Sequence, residues 1–200
     1  MLEYAENFPM KDVGWGRLTG DSISRISQLH TTDFDLKDRT PYLAQVQGSN
    51  LAQHILNTLI QASCDTLVPG AIGPSSDHLV ILVGHHDNLA SIAGLLNLSW
   101  LLPGFQLDDT PPGGAMVLEL RKAIIWINDY PADDYFVQLY YVSQTLDQMR
   151  EATTLNLLNP PAVSPIFIPG GSSCDRGYEI PLSVFKILVE LAIDQRFVED

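Results

Sequence analysis

The chain has 200 residues, with 24 acidic and 11 basic side chains and a formal charge of −13. Hydrophobic residues make up 46% and charged ones 18%, which excludes a disordered chain. No apolar run approaches the ~20 residues that cross a bilayer, and no Lys/Arg cluster exists to displace counterions from a nucleic acid, so neither partner is expected.

This length suits one compact domain or the larger part of two interleaved ones. The acidic balance repels anionic substrates at long range unless local cations overcome it. Cys64 and Cys174 are too few for a disulfide scaffold and match no zinc pattern. The start, Met1-Leu2-Glu3-Tyr4-Ala5-Glu6, has neither a basic segment nor an apolar one, so no export signal is read there.

In chain order, residues 1–34 read as helical, broken by a turn around Pro9 and Gly14. Ile23, Ile26 and Leu29 recur at helical spacing. Pro41 marks a boundary, and Ser49 is the expected N-cap of a second helix carrying Leu51, Ile55, Leu56, Leu59 and Ile60 on its packed side. Residues 64–77, with Pro69, Gly70, Gly73 and Pro74, read as a loop. His78-Leu79-Val80-Ile81-Leu82-Val83-Gly84 then predicts a strand buried on both faces. His85-His86-Asp87-Asn88 follows at once, and Leu89–Leu96 is helical. Open α/β sheets bind ligands beyond the carboxyl ends of their strands, where a helix start offers free N–H groups. The densest cluster of titratable side chains therefore falls where such a fold expects chemistry.

Farther on, Asp108-Asp109-Thr110-Pro111-Pro112-Gly113-Gly114 is a turn rather than a phosphate cradle. It leads into strands over 115–120 and 135–142, paired as an antiparallel hairpin with a longish loop at Asn128-Asp129-Tyr130-Pro131. Residues 155–180 are rich in Pro, Gly and Ser. Pro181 opens a last helix that buries Val184, Phe185, Ile187, Leu188 and Leu191.

His85-His86-Asp87 admits three readings: a phosphate-ester site using positioned proton transfer, a metal site, or a hydrogen-bonded corner. Adjacent residues rarely place two imidazoles on one ion, and no His-x-x-x-His helix completes a set, so no metal and no cofactor is expected. No Gly-x-Ser-x-Gly elbow, Walker loop or Gly-x-Gly-x-x-Gly is present. His30, His54 and His78 are scattered singly and read as surface or capping residues.

Val83-Gly84-His85-His86-Asp87-Asn88-Leu89-Ala90, Leu98-Ser99-Trp100-Leu101-Leu102-Pro103-Gly104 and Asp109-Thr110-Pro111-Pro112-Gly113-Gly114 resemble the histidine acid phosphatases. So do Gly14-Trp15-Gly16-Arg17, Arg39-Thr40-Pro41-Tyr42 and Gln144-Thr145-Leu146-Asp147-Gln148-Met149-Arg150. The stretches are collinear, most similar to the bacterial periplasmic phytases and glucose-1-phosphatases, and they cover only the family's C-terminal half. The resemblance implies two-step hydrolysis of phosphomonoesters such as inositol or sugar phosphates. A histidine of an N-terminal Arg-His-Gly-x-Arg-x-Pro motif attacks phosphorus, and an Asp of a later Gly-His-Asp motif protonates the leaving oxygen. No Arg-His-Gly occurs in this sequence. The expectation is that the nucleophile lies on an N-terminal part of a longer, periplasmic or secreted protein, which would be this chain's partner.

The family's Gly-His-Asp-Thr-Asn stands here as Gly84-His85-His86-Asp87-Asn88. An ungapped match puts His86 at the acid's position; sliding by one residue makes it Asp87 but needs gaps in a tight junction. An imidazole, ordinarily titrating near ~6.5, can serve as an acid near pH 6. The expected catalytic residues are His85, a phosphate ligand, with His86 or Asp87 as proton donor. The expected substrate-binding residues are Asn88 and Gln47, the latter where related phytases often carry an Arg. A family cysteine pair falls on Gly171 and Ile180, which leaves Cys174 alone or displaced. The resemblance implies an α/β fold: a mixed sheet with flanking helices, residues 1–64 part of a helical subdomain and 65–200 the C-terminal part of the phosphatase domain. A non-catalytic remnant that binds a phosphorylated ligand or a protein is the alternative.

Overall fold

The computed structural model describes residues 3, 6–127, 130–172 and 177–199, apart from the side chains of residues 24, 124–127 and 130–134. Its helices are α1 (Gly20–Lys37), α2 (Pro41–Cys64), α3 (His86–Leu96), α4 (Leu146–Arg150) and α5 (Leu182–Ala192). Its strands are β1 (Ala115–Ile127), β2 (Tyr130–Ser143), β3 (Ala162–Ile166) and β4 (Ile180–Pro181). None of these helices is long and apolar enough to cross a membrane.

The helix starts follow local sequence. Thr19 and Ser22 cap α1 reciprocally: Ser22 N–H donates to Thr19 Oγ1 (3.2 Å) and Thr19 N–H to Ser22 Oγ (2.7 Å). The second helix starts at Pro41, not after Ser49. Proline at a first helical position has no N–H to leave unsatisfied and a backbone already set for the helix. Ser49 is instead buried mid-helix, where its Oγ accepts the Asp194 N–H (2.9 Å) and ties α2 to the chain after α5. The expected loop 64–77 folds back on α2: Gln61 reaches Gly73 O (2.8 Å) and Val68 N (3.1 Å), and His54 Nδ1 meets Gly70 O (2.6 Å).

All described strand pairs are antiparallel, in the order β1-β2-β3, with β4 also on β2. The hairpin forms as the alternation suggests, but its strands run on to Ile127 and Tyr130, paired with each other. Residues 128 and 129 of the expected loop lie outside the described residues. Residues 162–166, within the Pro/Gly/Ser-rich stretch, form β3. One core joins α2, α3, α5 and the sheet through Leu56, Ile92, Leu98, Leu139, Ile166 and Phe185. At its rim Trp100 stacks flat on Tyr141 (4.5 Å, 2°) and donates Nε1–H to Asp109 O (2.9 Å). Burial and the nearby Asp109 push the Tyr141 phenol up to about 12.

Two expected apolar faces are not buried. On α5, Phe185 and Val189 face the core while Ile187 and Leu191 are exposed, because two residues on from Phe185 lies about 200° around the helix. On α1, Ile23 is buried but Ile26 and Leu29 are exposed, while Phe34 nearer its C-terminal end packs on His86.

The expected buried strand at 78–84 is the main correction. The segment pairs with none of the described strands, and Leu79, Ile81 and Val83 are 75%, 73% and 96% exposed. Its β-branched composition suits a pleated surface, but a strand forms only against partner backbone, and no described strand offers one here. Such a stretch is an open template for pairing. Sedimentation of the 200-residue chain is therefore expected to show concentration-dependent self-association that the double variant I81K/V83K relieves. A concentration-independent monomer would contradict this.

Candidate functional site

The site is built at the start of α3. Chain entering it is extended at His85 (φ −113°, ψ 166°) and helical from His86 onward. Asn88 Oδ1 accepts the His85 N–H (2.8 Å), so the cap fixes the turn from which three titratable side chains leave. His85 Nδ1 lies 3.2 Å from Asp87 Oδ1, and the His85 and His86 rings sit 4.4 Å apart, centroid to centroid. Phe34 of α1 meets the His86 ring edge-on (4.7 Å), and His30 in turn packs on Phe34 (4.6 Å). His85 and Asp87 are exposed, with side chains 73% and 51% accessible.

Two close approaches place this turn. A Cβ at Gly48 would lie 2.7 Å from Leu95 Cδ1, and one at Gly94 would lie 2.7 Å from Arg39 Cα. With these positions bare, α3 lies directly against α2 and the α1–α2 junction. Ser91 Oγ joins the same contact, its one hydroxyl proton shared between Gln47 Oε1 (3.0 Å) and Asp87 O (2.8 Å). Behind it, Arg39 pairs with Asp35 (3.2 Å) and Asp108 (3.1 Å) and donates to Leu98 O (2.7 Å). Asp108 Oδ1 accepts from Ser99 Oγ and Trp100 N. Arg39 thereby links the end of α1 to the loop after α3.

Of the residues expected from sequence, His85, His86, Asp87 and Asn88 come together in one turn. Gln47 is exposed and tied to the same turn through Ser91. Asn88 uses its Oδ1 in the cap, so its amide nitrogen is the group that can face a ligand. His54 holds the 65–77 loop, and Gly113 (φ +74°) lies in a turn closed by Gly114 N–H to Pro111 O (2.9 Å), as expected. Cys64 is exposed, its thiol lowered by a hydrogen bond with Thr66; Cys174 lies outside the described residues.

Sequence reading missed Asp38, Phe34 and Ser91. Asp38 ends α1 and is buried. Burial raises its carboxyl above the usual range, the Asp87 charge raises it further, and His86 opposes both. A buried acid that acts on His86 through space has no motif; only its neighbour Arg39, in the matched Arg39-Thr40-Pro41-Tyr42 stretch, marks the region.

No protein-family model matches the chain. It is 33% identical over 171 residues to the phytase AppA of Escherichia coli, an alignment covering 85% of this chain and 37% of that protein. It is 28% identical over 160 residues to a glucose-1-phosphatase of Providencia rettgeri, covering 80% and 35%. Among solved structures, the Hafnia alvei phytase in complex with myo-inositol hexakis sulphate matches all of this chain and 47% of its own (31% identity, TM-score 0.79). The Citrobacter braakii phytase matches all of this chain and 48% of its own (30% identity, TM-score 0.79). The chain thus spans less than half the length of these relatives.

The Asp38 carboxyl makes a pH prediction. Because the folded state raises its pKa, ionising it costs stability as pH rises through the unfolded and folded values, and nothing below them. Asp38→Asn is expected to raise the thermal midpoint at pH 7 and to leave it nearly unchanged near pH 3. A lower midpoint at pH 7 would contradict this.

Proposed function

The chain belongs to the histidine acid phosphatase family, and from that premise we propose that it is the C-terminal half of a phytase-like enzyme hydrolysing phosphomonoesters such as inositol or sugar phosphates. The observation that carries the reading is the convergence of His85, His86 and Asp87 on one helix start, in a chain that superposes on phytases along its whole length.

The geometry supports a role for each residue. His85, placed by Asp87 at 3.2 Å, offers a ring N–H to a phosphate oxygen. Engagement with His85 takes Asp87 out of the donor role. His86, at the acid's position in the ungapped match and backed by Phe34, gives its proton to the leaving alkoxide. Asn88 and Gln47 contact the substrate from the same turn and from α2. The attacking imidazole comes from an Arg-His-Gly motif on an N-terminal part of a longer polypeptide; it displaces the alkoxide, and water then cleaves the phosphohistidine. That part would also cover residues 79–83. Residues 1–64 belong to a helical subdomain beside the substrate cleft and 65–200 to the phosphatase domain, in a protein working in the periplasm.

A remnant that binds a phosphorylated ligand without turnover is the second reading, favoured by the departure Gly84-His85-His86-Asp87 from the family's pattern. Assay on p-nitrophenyl phosphate between pH 3 and 7 separates them. The longer polypeptide is expected to turn over, His85→Ala to lower its kcat by about 10²–10⁴-fold, and the 200 residues alone to be inactive. No turnover by the longer polypeptide would support the remnant; turnover by the 200 residues alone would refute both readings.

A further inference from the structure

We propose that His85, His86 and Asp87 form a three-ligand site for a divalent transition-metal ion of the zinc–copper class. Neighbouring residues seldom share an ion because a regular backbone sends their side chains apart. Here the boundary between extended and helical backbone falls between the two histidines, and it turns both rings to one side, 4.4 Å apart.

One ligand atom from each of the three residues lies within 4.8 Å of the other two, and the His85–Asp87 pair is already at 3.2 Å. Tetrahedral zinc with bonds of about 2.0–2.1 Å needs ligand atoms roughly 3.3 Å apart. Rotation of exposed side chains closes that gap without moving the backbone, which Asn88 and Ser91 hold in place. Two imidazoles, borderline donors, beside one hard carboxylate suit zinc, copper or nickel; calcium and magnesium ask for more oxygens. The chain's charge of −13 favours a cation there. Exposure leaves the remaining coordination positions to water. The site stands on these residues alone and holds whether or not the phosphatase reading does.

The test uses the 200-residue chain with Zn²⁺ in calorimetry and Cu²⁺ in electron paramagnetic resonance, both at pH 7. One equivalent of each metal is expected to bind, with two coupled nitrogens on copper. His86→Asp should weaken zinc binding at least about tenfold and remove one nitrogen coupling, while His78→Gln, an exposed histidine outside the cluster, changes neither. Absence of stoichiometric binding, an unchanged copper spectrum in H86D, or loss of binding in H78Q would overturn the proposal. The copper spectrum of the unsubstituted chain decides the matter even if a variant fails to fold.

Discussion

Everything at the candidate site depends on how closely α3 is laid against α2 and the α1–α2 junction. Gly48 and Gly94 each stand where a single added carbon would collide, one with Leu95, the other with the Arg39 backbone. Because both are bare, Ser91 can bridge Gln47 and the Asp87 carbonyl, and the first turn of α3 is fixed from two sides. The cap at His85 and Asn88 then decides where the imidazoles point. Packing thus sets the position of the chemistry, and hydrogen bonding sets its direction.

Charge is distributed in keeping with that arrangement. Arg39 is engaged by two carboxylates and a carbonyl, so it serves the junction between α1 and the loop after α3. The cluster itself holds two imidazoles, with the Asp87 and Asp38 carboxyls near them. The same donors, deprotonated, suit a metal ion. Proton transfer and metal binding are therefore two uses of one set of atoms, separated by what is available to bind.

The local signals in the sequence carried far. The helix after Asp87, the hairpin and the helix after Pro181 follow from period and punctuation, and the His85–Asn88 cluster is contiguous in the chain. What local signals could not show is partnership. Residues 78–84 have the composition of a buried strand, yet burial depends on backbone elsewhere, and among the described residues none pairs with them. Ser49 looked like a cap because serine caps helices; its hydroxyl instead serves the Asp194 amide, 145 residues away. Ile187 and Leu191 are apolar but lie on the side of α5 turned from the core. Asp38 influences the site through space, without a motif. Family membership was legible because the matched stretches are collinear, which local ambiguity does not erase.

The claim that matters most is that His86 hands a proton to the departing oxygen. The most direct measurement is the rate of the longer polypeptide and of its His86→Ala variant on phosphate esters whose leaving groups differ in basicity. A lost proton donor is felt by a basic sugar alkoxide and hardly at all by p-nitrophenolate, so the ratio of the two rates should climb steeply with leaving-group basicity. A ratio that stays the same across the series would contradict the account.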